Sequence, residues 1–197
     1  MRVLVACEFS GTVRDAFAAQ GHDAWSCDIV PSDTIGNHIE ADVRGVLNYN
    51  WDLMIAHPPC THLAVSGARW FHLKQQEQAE ALDFVSTLLL APINRIALEN
   101  PVSIISSMIR KPDQIIQPWQ FGHEATKKTC LWLKNLPNLE PTKIVSKGLM
   151  RTTKSGKTLP AWYSDLAKGP NRARARSMTF KGIAEAMALQ WGVLCQQ

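Results

Sequence analysis

The amino-acid sequence predicts a doubly wound α/β fold, in which helices cover both faces of a parallel sheet. Two observations indicate this class. Short apolar runs of strand type recur along the chain, and segments with helical spacing separate many of them, a succession typical of parallel sheets. The chain has 197 residues, of which 46% are hydrophobic, and this suits one domain with a buried core.

The first half of the chain supplies four of the predicted strands and two of the predicted helices. Val13, Ala16 and Phe17 have nearly helical spacing, and Gly21 would end this first helix as a C-cap does. The predicted strands of this half are 2–6, 23–30, 38–43 and 51–56, and the predicted helices are 11–21 and 75–91.

The second half is predicted to add two strands and two helices. Pro101 stands where a helix would begin, and proline is favoured there because the first N–H of a helix has no partner within it. The zone 134–180 is rich in Lys, Gly, Pro and Thr and is the least regular part of the chain. The predicted elements are strands at 95–100 and 129–133 and helices at 101–109 and 181–192.

Polar residues follow the predicted strands at the carboxyl edge of the sheet, where folds of this class bind ligands. Asp28 suits a ribose diol, because a carboxylate accepts two hydroxyl hydrogen bonds, and Asp42 could accept from an adenine amino group. Taken alone, each acid fits a helix N-cap or an exposed turn, but consistent chemistry at five strand ends favours a ligand. The loop "FSGTV" has one glycine, too few for a pyrophosphate, so S-adenosyl-L-methionine is favoured. The candidate cofactor-binding residues are Phe9, Ser10, Gly11, Thr12, Asp28, Ile29, Asp42, Val43 and Pro58.

Charge and cysteine content narrow the class of protein. The net charge of +4 permits an anionic partner. Five cysteines show neither a CxxC pair nor zinc-ligand spacing, so no metal is expected. The N-terminal "MRVLVACEF" lacks a signal-peptide pattern, and no run approaches the roughly 20 apolar residues of a membrane span. We expect a cytoplasmic protein with free thiols and no membrane contact.

Two prolines stand directly before Cys60 in "WDLMIAHPPCTHLAVSG". Proline fixes φ, so the backbone has little freedom at this point. The turn could simply contain a buried apolar cysteine, or it could aim a thiol at a substrate. The sequence Glu99-Asn100-Pro101 stands at the end of the next predicted strand. Together with the two prolines before Cys60, it favours a thiol that is aimed at a substrate.

The order of these motifs resembles the cytosine-5 DNA methyltransferases, in the form of a short phage or prophage member without a target recognition domain. "ACEFSGTVRDAF" is similar to their cofactor loop, "HPPC" to their nucleophile motif and "ALENP" to their ENV motif. "ATKKTCLWL" lies where they have a QxRxR strand, and "SMTFKGIAEAMALQWG" where their C-terminal helix returns to the cofactor pocket. The resemblance spans most of the chain and implies a class I S-adenosylmethionine-dependent methyltransferase fold, which is Rossmann-like.

The resemblance implies methyl transfer to carbon 5 of cytosine in DNA. Cys60 would add to carbon 6 as a thiolate, and Glu99, with a pKa raised by burial, would bond N3 and the exocyclic amine. The DNA is expected to be double-stranded, with the target base flipped into the pocket. The candidate substrate-binding residues are Pro59, Asn100, Lys127, Arg172, Arg174 and Arg176. Methylation of a free pyrimidine nucleotide or another nucleic acid stays open, as does a non-catalytic nucleic-acid-binding role.

The chain departs from the family at the site and in its length. His57 stands where the family usually has glycine. Residues 1–197 are predicted to form a single methyltransferase domain, and 145–170 a short basic loop in place of a recognition domain.

Basic and aromatic residues close to that loop suggest nucleic-acid contacts. The arginines of "NRARARSM" alternate, so on an extended segment they would share one face and suit phosphates. The neighbouring Trp162 and Tyr163 could stack on a base or cap the core.

Overall fold

The structure, a computed structural model, describes residues 1–153, 156–166 and 171–195. In this part of the chain the strands form a seven-stranded sheet and a separate two-stranded hairpin. The strands are β1 (Arg2–Ala6), β2 (Asp23–Asp28), β3 (His38–Glu40), β4 (Leu53–Ala56), β5 (Arg95–Pro101), β6 (Gln114–Ile116), β7 (Thr129–Lys134), β8 (Met150–Thr152) and β9 (Thr158–Pro160). The α-helices are α1 (Thr12–Ala19), α2 (Gln75–Leu89), α3 (Ile105–Met108), α4 (Ala161–Ser164), α5 (Asn171–Ser177) and α6 (Lys181–Trp191).

The large sheet has the strand order β3-β2-β1-β4-β5-β7-β6. The first five strands in this order, from β3 at the edge to β5, pair in parallel. Strand β7 runs antiparallel to both β5 and β6. The chain builds outward from β1 to one edge and then crosses back to build the other half, which is the doubly wound arrangement. The predicted α/β class is therefore confirmed, as a Rossmann-like, mostly parallel sheet.

Two apolar layers hold the helices against the sheet. Val3 and Val5 pack in the layer that contains the buried faces of α1 and α6, and Leu4 and Ala6 pack in the layer that contains α2. Successive side chains of a strand point to opposite faces, so one short apolar run serves both layers. A fully buried side chain such as Phe17 contributes about 1.5–3 kcal/mol to this packing.

The prediction that a helix begins at Pro101 is wrong. Strand β5 continues through Pro101, which pairs with Thr129 of β7, and only Ile105–Met108 is helical. Pairing with a neighbouring strand has overridden the local preference of proline for a helix start. The other predicted strands and helices overlap observed ones, and Gly21 has a φ of 80°, as its proposed capping role requires.

The segment 145–170 is not simply a loop. It contains the antiparallel hairpin of β8 and β9 and the single helical turn α4. The three residues of β8 are all exposed. Residues 154–155 and 167–170 of the predicted loop lie outside the described residues.

The predicted extended segment with three aligned arginines is also wrong. Arg172, Arg174 and Arg176 lie on helix α5. Alternation matches the period of a strand, but alanine and arginine are among the best helix formers, and here that propensity prevails. At about 100° per residue, Arg172 and Arg176 share a face and Arg174 lies nearly opposite.

Candidate active site and cofactor pocket

The loop after β4 presents Cys60 at the carboxyl edge of the sheet. Of the cysteines whose side chains the structure describes, Cys60 alone is exposed to solvent. The N–H groups of Leu63 and Ala64 donate to the Cys60 carbonyl at 3.1 and 2.9 Å, which closes a tight turn directly after the two prolines. The backbone around the thiol is thus fixed on both sides.

Residues at the end of β5 and directly after it hold the cysteine loop in place. The buried Asn100 side chain donates from Nδ2 to the Pro58 carbonyl at 2.9 Å. The Val65 N–H donates to the Val102 carbonyl at 3.1 Å, and the Ile104 N–H to the Leu63 carbonyl at 3.0 Å. Asn100 therefore positions the cysteine loop.

Glu99 forms a close pair with His57. The Nδ1 atom of His57 lies 3.0 Å from Glu99 Oε2, and each side chain is only 11% exposed. Burial alone would raise the pKa of Glu99, but the hydrogen bond from His57 and the positive charge of Lys127 hold that pKa below its ordinary value. The expected raised pKa is therefore wrong, because His57 occupies the position where the family usually has glycine.

The thiol of Cys60 is not activated in the free protein. Desolvation by the surrounding protein and the negative charge of Glu99 raise its pKa, and the positive charges of Lys127 and Arg176 offset only part of this effect. In the free protein the protonated thiol is therefore the favoured form of Cys60 near neutral pH.

Lys127 connects the site to the segment that follows α5. Its Nζ donates to the carbonyls of Arg176 and Met178 at 3.1 and 3.4 Å, and its backbone N–H donates to Gln117 Oε1 at 2.9 Å. From this position the ammonium group acts on both Cys60 and Glu99.

A pocket of about 550 Å³ lies beside the cysteine loop. Asp28 ends β2, Asp42 follows β3, and both line this pocket, as the sequence-based interpretation requires for a nucleoside. Asp42 also accepts from Arg44 Nε at 3.0 Å, and this contact lowers the pKa of its carboxyl. The full lining is Cys7, Cys27, Asp28, Ile29, Ala41, Asp42, Val43, Arg44, Pro59, Glu80, Asp83 and Phe84.

The pocket extends to Pro59, which directly precedes Cys60 in the sequence. Its volume falls within the range of small-molecule sites, and it combines apolar walls with two carboxylates. This lining fits an adenosyl group, because the carboxylates can accept hydrogen bonds from hydroxyl and amino groups and the apolar side chains can contact the ring.

The two cysteines that line the pocket, Cys7 and Cys27, are poor alternatives to Cys60. Burial, followed by the charge of Asp28, raises the pKa of Cys7 to about 12 and that of Cys27 to about 11. Both thiols therefore stay protonated and unreactive near neutral pH.

The predicted cofactor loop after β1 does not line this pocket. The buried Glu8 carboxylate accepts from the N–H groups of Val13 and Arg14 at 2.7 and 3.1 Å, and so it caps helix α1. Gly11 has a φ of 72°, and a Cβ there would lie 2.2 Å from Thr34 Oγ1. The residues that lie outside the pocket lining are Phe9, Ser10, Gly11, Thr12 and Pro58.

Arg14 has a structural role that the sequence pattern did not reveal. It is 1% exposed, and its guanidinium donates to Asp15, Ser26 and Thr34. These bonds tie α1 to the loop after β2, and Arg14 fills the space beside Gly36.

The arginines of α5 divide between two neighbours. Arg172 and Arg176 lie over the ring of Tyr163, 5.3 and 4.4 Å from its centroid. Arg174 lies 3.9 Å over the ring of Phe9 and forms an ion pair with Asp33. Arg174 is therefore engaged with the protein, on the opposite side of α5 from Arg172 and Arg176.

The aromatic pair before α5 packs against the fold. The indole N–H of Trp162 donates to the Thr126 carbonyl at 3.0 Å, and its ring meets Phe180 edge-on at 5.4 Å. Tyr163 lies beneath two arginines. The contacts of Trp162 favour the capping alternative over base stacking.

Three pocket residues come from helix α2, to which the sequence analysis assigned no site residue. Glu80, Asp83 and Phe84 follow one another at i, i+3 and i+4, so they share one face of the helix. Their spacing was visible in the sequence, but nothing local indicated which face meets the carboxyl edge of the sheet.

Comparisons with known proteins give likenesses to solved structures and to nothing else. No family model matches the chain, and no curated protein matches it. A crystal structure from Escherichia coli matches with 15% sequence identity and a TM-score of 0.45, over 74% of this chain and 52% of that chain. That protein is described, provisionally, as a DNA modification methyltransferase encoded within a prophage. This chain spans about half its length, and a likeness this distant carries no argument about function.

The described part of the chain forms neither a membrane-spanning helix nor a metal-binding cluster. No helix there is long and apolar enough to cross a membrane. No group of three or more His, Cys, Asp or Glu side chains comes together there as a metal site would require.

Proposed function

We propose that the protein transfers a methyl group from S-adenosyl-L-methionine to carbon 5 of cytosine in DNA, through a covalent adduct with Cys60. The observation that carries the proposal is the arrangement at the ends of β4 and β5. Glu99 lies on β5, and Cys60 lies in the loop that follows the adjacent parallel strand β4. The hydrogen bond from Asn100 to Pro58 joins β5 to this loop, and the pocket with two aspartates extends to Pro59.

The chemistry requires a nucleophile, because carbon 5 of cytosine does not attack a methyl donor unaided. The Cys60 thiolate bonds to carbon 6, and the electron pair of the C5–C6 double bond becomes available at carbon 5. Carbon 5 then takes the methyl group, whose bond to the donor sulfur breaks. Loss of the proton on carbon 5 restores the double bond and expels the Cys60 thiolate.

Glu99 stabilises the ring while this happens. The ionised carboxylate accepts a hydrogen bond from the exocyclic amine. It also stabilises, as a counter-ion, the proton that N3 takes up from solvent when the thiolate adds and returns to solvent when the thiolate leaves. His57 bonds to Oε2, so Oε1 is the oxygen directed to the base. The lowered pKa of Glu99 is consistent with this role, since a carboxylate that remains ionised pairs with a protonated N3.

The cofactor residues take separate parts of the adenosyl group. Asp28 accepts from the ribose hydroxyls, and Asp42 from the adenine amino group. Ile29, Val43 and Phe84 provide apolar contacts. When bound, the cofactor would supply an activated methyl group on a positively charged sulfur, and Pro59 would line its pocket on the side of the cysteine loop.

Positive charge beside the nucleophile favours a nucleic-acid substrate. Lys127 and Arg176 act on Cys60, and such charges suit the phosphates that flank a flipped base. A free pyrimidine nucleotide is the second candidate. One observation favours it: the described part of 145–170 contains a hairpin with three residues in each strand and a single helical turn, which is small for a recognition unit.

A parallel assay separates these substrates. The protein is incubated with labelled cofactor and unmethylated double-stranded DNA, RNA or dCTP, and the products are digested to nucleosides. We expect label in 5-methyldeoxycytidine from DNA. Label confined to the dCTP reaction would establish the second candidate, and label in none of the three would refute methyl transfer to cytosine.

Replacing Asp28 or Asp42 with alanine is expected to weaken cofactor binding by roughly 1–3 kcal/mol, as for the loss of a charge-assisted hydrogen bond. Isothermal titration calorimetry measures the change. Asp52→Ala is the control, because Asp52 binds the Arg2 N–H at the amino end of the same sheet. Unchanged affinity in both pocket variants would remove the carboxylates from the cofactor site.

Neutralising Arg172 and Arg176 together is expected to weaken DNA binding nearly equally for all sequences. Phosphate contacts position a protein without reading bases. Each phosphate contact that is lost should reduce the slope of log affinity against log salt by about 0.9. Arg174→Gln is the control, since Arg174 already pairs with Asp33. A sequence-dependent decrease in affinity, measured by fluorescence anisotropy on several duplexes, would indicate base readout instead.

A further inference from the structure

His57 contacts Glu99 and lies three residues before Cys60, the two residues to which the proposed reaction assigns roles. It directly follows β4, and its backbone N–H donates to the Ala6 carbonyl at 2.9 Å. Three residues later the chain reaches Cys60, and its side chain meets Glu99. His57 is therefore held at the start of the cysteine loop by one hydrogen bond of its backbone and one of its side chain.

The hydrogen bond to Glu99 determines which ring nitrogen is free. Nδ1 donates its hydrogen to Glu99 Oε2, so Nε2 of the neutral ring carries a lone pair. Nε2 is buried and has no hydrogen-bond partner among the described residues. A buried polar atom without a partner is uncommon in a folded protein and calls for an explanation. A lone pair held ready for a proton from the substrate provides one.

We propose that His57 Nε2 is the base that removes the proton from carbon 5 after methyl transfer, with Glu99 orienting the imidazole. The inference rests on the proposed function and deepens it, because the proposed reaction needs a proton acceptor at this step. The pairing of a buried carboxylate with Nδ1–H and a free Nε2 is the arrangement by which histidine bases are oriented in other enzymes.

The step balances within the named groups. The C5–H bond breaks, and its proton forms a new bond to Nε2. The electron pair left behind restores the C5–C6 double bond, and the C6–S bond breaks to release Cys60 as a thiolate. His57 becomes an imidazolium beside the ionised Glu99, which stabilises it, and the proton then passes to solvent.

His57→Asn separates this role from simple positioning. The introduced amide can still donate a hydrogen bond to Glu99, but it provides no basic nitrogen. His72→Asn is the matched control, since His72 is an exposed histidine on the segment Val65–Leu73. Each variant is tested with ordinary cytosine DNA and with 5-fluorocytosine DNA, which has no removable proton at carbon 5 and so traps the methylated adduct.

Three results are expected for His57→Asn. Steady-state turnover falls on the order of 10²-fold, about the contribution of one general base. A first turnover still transfers about one methyl group per enzyme, and a denaturation-resistant adduct accumulates on ordinary DNA. Trapping by 5-fluorocytosine DNA stays comparable to that by the unmodified protein, because addition and methyl transfer precede the missing step.

Other outcomes overturn the inference. Turnover within about threefold of the unmodified protein, with no adduct on ordinary DNA, would show that another base acts. Loss of trapping on 5-fluorocytosine DNA in a variant with unchanged melting temperature would place His57 before methyl transfer. Absence of methyl transfer by the unmodified protein is a different result, because it refutes the proposed function and the inference falls with it.

Discussion

Replacing Cys60 with serine is expected to reduce methyl transfer by a factor on the order of 10³ or more, while the fold and cofactor affinity survive. A serine hydroxyl has nearly the size of the thiol but is a far weaker nucleophile near neutral pH. The Cys60 side chain is exposed and outside the pocket lining, so its replacement removes little packing. Radiolabelled methyl transfer, calorimetric cofactor binding and thermal melting measure the three quantities.

Cys130→Ser provides the opposite pattern. Cys130 is completely buried in the core beneath the sheet, so a hydroxyl there should lower the melting temperature and leave the chemistry of the folded protein intact. If Cys60→Ser behaves like Cys130→Ser, with equal losses of stability and cofactor affinity, Cys60 is a structural cysteine and the proposed mechanism is wrong.

The carboxyl-edge chemistry was predictable because it depends on local patterns. Asp28 and Asp42 each follow a short apolar run, and parallel strands bring such positions to one edge. The two prolines and the Glu99-Asn100 sequence likewise marked the ends of β4 and β5. No detailed contact was needed to expect these residues near one another.

The electrostatics of the site were not predictable from the sequence. His57 and Glu99 are 42 positions apart, and their hydrogen bond reverses the direction in which burial moves the pKa of Glu99. Whether burial or a partner dominates depends on a contact that no local pattern encodes. The role of Glu8 as a cap for α1 shows the same limit, since its position suited a cofactor loop equally well.

Helix α5 illustrates a different reason for failure. The alternating arginines satisfy the period of a strand, whereas their composition suits a helix, and the sequence alone gives no rule for choosing between them. The consequence is functional, because the helix directs Arg176 toward the Cys60 site and Arg174 toward Phe9 and Asp33. Phosphate contacts are therefore expected from one face of α5 and not from all three arginines.

Replacing Glu99 with glutamine is expected to affect Cys60 and the methyl-transfer rate in opposite directions. The amide oxygen can still accept from His57 Nδ1, so the local packing is kept. Because the charge of Glu99 raises the pKa of Cys60, its removal should lower that pKa and speed alkylation by iodoacetamide near neutral pH. Methyl transfer should nevertheless fall on the order of 10²–10³-fold, because the amide cannot hold the proton at N3 as a counter-ion.

The opposite signs make the result decisive. Alkylation rates against pH report the Cys60 thiolate directly, and single-turnover methyl transfer reports the reaction at saturating cofactor. Glu185→Gln is the control, since Glu185 is an exposed residue on α6 that pairs with Lys181. If Glu99 only oriented the loop, both rates should fall together in the Glu99 variant. If it were remote from the reaction, neither rate should change by more than in the control. Faster alkylation with much slower methyl transfer requires a carboxylate that opposes the thiolate in the free protein and stabilises the ring once the base is bound.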